Sequence, residues 1–185
     1  MAFSLTRHDA VDVLTRQHAQ IRRGFYKAAL PGPGRKRAFH QLMRLLSIHE
    51  AAEEAHVHPL ARRVLRAGPA VTARRRAEEK QAKRLLTALL RTGPDGKGYV
   101  RQLGAARRAV LAHAAREERE EFPALRRAVG ATRLRLLGAE VRLSQVYAPT
   151  RPHRWIDNEV TNKLAAPVLG PLDRIRDLYQ AKRGR

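Results

Sequence analysis

The chain contains no cysteine. That excludes disulfides, thiolate metal sites and cysteine nucleophiles. Aromatic residues make up 5% of it, too few for the stacking platform that usually binds single-stranded nucleic acid. No apolar run approaches the roughly 18–20 residues that span a bilayer. The opening stretch MAFSLTRHDAV lacks the apolar core of a signal peptide, so a cytoplasmic location is expected. No Ser-His-Asp order, phosphate-binding loop or dinucleotide fingerprint is present. Acidic residues are scarce, 17 against 38 Lys and Arg, for a net charge of +21.

A charge of that size suits an acidic partner such as nucleic acid or an anionic membrane surface. An arginine-, alanine- and leucine-rich composition accounts for it equally well. Nucleic acid is therefore a possible partner and not the favoured one. The run Arg74-Arg75-Arg76 is expected to be a solvated helix face.

Proline and glycine punctuate the chain. Pro31-Gly32-Pro33-Gly34, Gly68-Pro69 and Gly93-Pro94-Asp95-Gly96-Lys97-Gly98 are strong loop signals. Between them, apolar residues recur at helical spacing over residues 6–30, 35–66, 70–91 and 99–129. Asp9 is a plausible N-cap for the first. Four long helices with short connections imply an all-α, up-down-up-down four-helix bundle over residues 6–129. Residues 130–185 form a C-terminal extension. It is expected to hold a helix over 131–146, an irregular stretch with Pro149, Pro152 and Pro167, and a short amphipathic helix over 171–182.

One segment is written twice. HEAAEEAHVHPLAR starts at His49 and HAAREEREEFPALR starts at His113. Each places a histidine and a glutamate at i and i+4, which on an α-helix stacks both on one face. Pro59 and Pro123, late in helices two and four, should kink or end them. The repeat extends backwards as well. His18 lies 31 residues before His49, and Lys80 lies 33 before His113. His18, His49 with Glu53, Lys80, and His113 with Glu117 are thus expected near one level of the bundle. Imidazole plus carboxylate suits iron, manganese or zinc better than magnesium or calcium. Two carboxylates able to bridge suit a two-metal centre, and iron is the usual occupant of such bundles.

These residues resemble the hemerythrin-like, HHE cation-binding domain family. The matching stretches are LTRQHAQI around His18, HEAAEEAHVHP from His49, AEEKQAKRLL around Lys80 and HAAREEREEFPAL from His113. The resemblance implies a bundle holding non-haem iron, with dioxygen or peroxide as the small-molecule partner. Family members bind or sense oxygen, handle iron or respond to oxidants. The implied metal ligands are His18, His49, Glu53, His113 and Glu117. Where the family pattern places a histidine after Glu78-Glu79, this chain has Lys80, whose ammonium cannot ligate.

Three outcomes follow from that departure. Two metals bind with one position open or helped by Glu50 or His56. One metal binds. Or Lys80 supplies the charge itself, leaving a structural relic. Glu54 and Glu118 are expected to make surface pairs with arginines, and His8, His40, His58 and His153 to be ordinary. A sensor- or carrier-type metal protein is the leading reading. An enzyme using iron on oxygen or peroxide is a further one. The alternative class is a basic helical protein that binds nucleic acid or an acidic protein and keeps a degenerate site.

Overall fold

Asp9 starts the fold. Its carboxylate accepts from the Asp12 backbone N–H at 2.9 Å, while Asp12 accepts from the Asp9 N–H at 3.1 Å. This reciprocal cap satisfies two backbone donors of the first turn and opens α1, Ala10–Ala29. In the computed structural model, which describes residues 8–147, α1 is followed by α2 (Arg35–Ala52), α3 (His58–Val64), α4 (Gly68–Thr92), α5 (Tyr99–Arg116), α6 (Phe122–Ala128) and α7 (Ala131–Tyr147). No strand occurs among the described residues. Glycines at positive φ close two of the connections, Gly32 before α2 and Gly93 and Gly98 around the α4–α5 loop. No helix among the described residues is long and apolar enough to cross a membrane.

The two proline-bearing helices do not stop at the proline, since the chain stays helical through it. Each widens for one turn just before it. Over Glu53–Val57 and Glu117–Glu121 the helix is of the π type. The N–H of His58 reaches back five residues to the Glu53 carbonyl, and that of Phe122 reaches Glu117. A proline ring collides with the carbonyl four residues before it in a regular helix and has no N–H to offer it. One extra residue in the preceding turn moves that carbonyl away and lets the chain continue as α3 and α6. The inserted residue also turns everything after it by about 100°.

α1 and α2 form one antiparallel hairpin and α4 and α5 another, with α1 beside α5 and α3 beside α4. This is the expected helical bundle. The apolar core is split in two. At one end Phe25, Phe39, Leu42, Leu86, Leu89 and Leu103 pack together. At the other, Leu14, Val57, Leu60, Phe122 and Leu125 do so. Between these layers the bundle interior is polar, with His18, His49, Glu53, Glu79, His113 and Glu117 all buried.

The helix expected over 131–146 is α7. It lies against α1 and α2 and adds Leu134, Leu137 and Val141 to the second apolar layer. The contact depends on Gly138, because a Cβ there would lie 2.9 Å from the Ala10 nitrogen. The rest of the extension, including the amphipathic stretch 171–182, lies outside the described residues.

Candidate metal centre

The centre is built from the two His-Glu pairs and the helices that face them. His49 and Glu53 lie one turn apart, with Nε2 3.2 Å from Oε1, and His113 and Glu117 repeat the arrangement at 3.3 Å. α1 contributes His18, whose Nε2 is 3.1 Å from that of His49 and 3.3 Å from Glu117 Oε2. His18 and Glu117 are 0% exposed and Glu53 is 1%. The five residues expected from the sequence are therefore brought together.

Each histidine is fixed from behind. His18 Nδ1 donates to Glu118 at 2.9 Å, His49 Nδ1 to the Gln17 carbonyl oxygen at 2.9 Å, and His113 Nδ1 to Glu78 at 3.1 Å. Those acceptors hold the proton on Nδ1, so each neutral ring turns its Nε2 lone pair into the cluster. This is the tautomer and orientation a metal-bound histidine needs.

The fourth helix corrects the sequence reading. Lys80 is exposed, and its neighbour Glu79 is buried and takes the inward place. On α4 the buried residues are Gly68, Thr72, Arg75, Glu79, Ala82, Leu86 and Leu89, a regular three-four stripe that passes through 79 and not 80. Glu79 Oε1 lies 3.7 Å from His113 Nε2. Lys80 therefore neither opens the site nor substitutes for a cation in it. Glu50 pairs with Lys83, and His56 lies 3.6 Å from Glu140 on α7. Neither belongs to the cluster.

Four further residues were misjudged or missed. Glu118 pairs with Arg22 at 3.3 Å, as Glu54 does with Arg76 at 3.9 Å, both as expected; what the sequence did not show is that Glu118 also holds His18. His58 is buried by the π-type turn and donates from Nε2 to Glu79 Oε1 at 2.6 Å. Glu78 was passed over beside its neighbour. Arg75, from the run expected to be solvated, is 2% exposed and binds Glu78 at 2.9 Å and Glu120 at 2.6 Å. The three-then-four spacing from Thr72 through Arg75 to Glu79 is the signal that could have found Arg75 and Glu79 as inward positions.

Two sets of donor atoms lie close enough to share a cation. His18, His49, Glu53 and Glu117 form one, with all ligand atoms within 4.8 Å of one another, and Glu53, Glu79, His113 and Glu117 form the other. Glu53 and Glu117 belong to both. Glu53 Oε1, His113 Nε2 and both Glu117 oxygens are buried with no hydrogen-bond partner. An unsatisfied buried polar group costs about 1–3 kcal/mol. Four such atoms converging within one cluster, with carboxylates and Nε2 atoms as the donors, fit a pair of transition-metal ions.

The charges show what the cluster does without metal. Burial opposes protonation of His113, but Glu117 and Glu53 outweigh it and push its pKa up to about 12. Burial likewise opposes a proton on His18, and Glu117, Glu53 and Glu118 override it, raising the pKa. Burial and the charge of His18 lower His49 to about 3, so it stays neutral. Burial and the Glu117 charge raise Glu53 to about 7. Burial would raise Glu117 too, but His113 and His18, each with Nε2 3.3 Å from one of its oxygens, hold it far below the usual carboxylate range. A protonated His113 thus stands where a metal ion would neutralise the carboxylates.

Comparison with known proteins follows the same line. The family model described as the hemerythrin HHE cation binding domain matches residues 9–125. Among solved structures, a hemerythrin HHE cation binding domain-containing protein from Mycobacterium kansasii is similar, with 27% sequence identity and a TM-score of 0.66. The match covers 75% of this chain and 85% of that one. No curated protein matches the sequence.

Proposed function

Because the chain belongs to the hemerythrin HHE cation-binding domain family, we propose that it holds two iron ions between its buried apolar layers and meets dioxygen or peroxide there, as a sensor or carrier. His18 and His49 would serve one ion, Glu79 and His113 the other, and Glu53 and Glu117 both. The observation that carries this reading is the anchoring of all three histidines through Nδ1, which leaves three Nε2 atoms directed at two shared carboxylates. When bound, an iron pair supplies reversible electron exchange with an oxygen species.

The protein's own part is to hold the ligands and control protons. Gln17, Glu78 and Glu118 fix ring orientation. The two apolar layers, closed by Phe25, Phe39 and Leu86 on one side and Leu14 and Phe122 on the other, limit water at the centre. Low dielectric there strengthens every charge interaction.

The direct test is elemental analysis and the visible spectrum of protein purified from iron-replete cells. Near-stoichiometric iron and a near-ultraviolet charge-transfer band are expected, and iron-free protein from such cells would refute the reading. The anchoring residues give a finer expectation. Glu78→Ala removes the acceptor behind His113 and should weaken metal binding by about 10–100-fold. Lys80→Ala should leave it unchanged, and equilibrium dialysis compares the two.

Loading should also depend on pH. The pKa of His113, pushed up to about 12, means that it carries a proton in the metal-free protein at neutral pH, and that of His18 is shifted in the same direction. Metal must displace the His113 proton, so affinity falls as pH falls, by up to about tenfold per unit for that proton. Iron affinity measured between pH 6 and pH 8 should rise with pH, and a flat profile would contradict this proton count.

A further inference from the structure

The two candidate positions share Glu53 and Glu117 and differ in everything else. The first adds two imidazoles, His18 and His49. The second adds one imidazole and one carboxylate, His113 and Glu79. Glu79 is not a loose surface acid. It is 8% exposed and its Oε1 accepts a 2.6 Å hydrogen bond from His58 Nε2. His58 itself is 4% exposed and is brought inward by the π-type turn before Pro59. The matching turn on the other hairpin brings in Phe122, which stacks on His18 with ring centroids 5.6 Å apart and planes at 11°. One π-type turn therefore delivers a polar anchor to a carboxylate, and the other delivers an apolar wall to an imidazole.

We propose that the centre is chemically unequal, with an imidazole-rich position at His18/His49 and an oxygen-rich position completed by Glu79, which His58 holds in place. This rests on the two-metal reading and specifies which ion each position prefers. Carboxylate oxygen suits harder ions such as manganese(II), whereas imidazole suits zinc. A mixed supply of the two should therefore sort itself within one molecule. His58 acts on the metal only through Glu79 and is a positioning residue.

The experiment loads metal-free protein with one equivalent each of zinc and manganese. Anomalous diffraction at the two absorption edges then locates each ion. Manganese is expected at the Glu79/His113 position with an excess on the order of fivefold over the other position, and zinc the reverse. Glu79→His should keep two ions and erase the sorting. His58→Phe should also weaken it, while His58→Gln, which keeps a side-chain N–H donor, should retain it. An equal distribution in the wild type, or sorting that survives Glu79→His, would overturn the inference while leaving the two-metal reading intact. A wild type that takes up one ion or none would overturn both.

Discussion

Glu117→Ala is expected to empty the centre of both ions. Glu117 is 0% exposed, belongs to both donor sets, and lies 3.3 Å from Nε2 of His18 and 3.3 Å from Nε2 of His113. No other described residue bears on both of those rings so closely. Losing a residue behind a ligand already costs about 10–100-fold in affinity, so losing a shared ligand should exceed about 100-fold for each ion. Metal analysis after dialysis against a weak chelator reads the result. Because the alanine also strips the buried His113 imidazolium of a counter-charge, Glu117→Gln is the companion variant. It keeps the volume, should keep the helical circular dichroism, and should still lose the metal. Retention of both ions in the glutamine variant would remove Glu117 from the centre.

The second large effect concerns packing. Phe122 is 2% exposed, lies in the apolar layer with Leu14, Val57 and Leu125, and stacks on the His18 ring. Phe122→Ala should cost about 3–5 kcal/mol, from lost burial and from the cavity left beside a close-packed layer. Urea denaturation of the metal-free protein measures it. The same variant should loosen His18 and lower metal affinity, so the two losses should appear together. A cost below about 1 kcal/mol would mean that the layer closes up around the gap and that Phe122 does not wall the site.

The parts of this centre that were legible in the sequence are those governed by local geometry. A histidine and a glutamate four residues apart share a helix face whatever the rest of the chain does, so His49 with Glu53 and His113 with Glu117 could be placed directly. His18 followed because the first loop is short and strongly marked. The bundle itself followed from loop signals and apolar spacing, as did α7.

What could not be read depends on register and on contacts between helices. Counting back from His113 through a longer loop reached Lys80, one residue past the inward position, and a single residue is about 100° of helix. The stripe through Thr72, Arg75, Ala82 and Leu86 places Glu79 inward, but an arginine on an inward stripe looks like an error until Glu78, Glu120 and Glu121 are seen around it. His58 is expected to be ordinary because in a regular helix it lies half a turn from the His49 face. The π-type turn, which answers the proline one residue later, brings it back. Glu118 reaches His18 across 100 positions of sequence, a pairing that no local pattern encodes.

The central claim is that three histidines and three glutamates, with Glu79 and not Lys80 on the fourth helix, hold two ions. Anaerobic titration of the metal-free protein with iron(II) tests it most directly. The wild type and Lys80→Ala should both saturate at about two ions per chain, and Glu79→Ala at about one. Saturation of the wild type at one or none, or a Lys80→Ala protein that loses as much metal as Glu79→Ala, would contradict it.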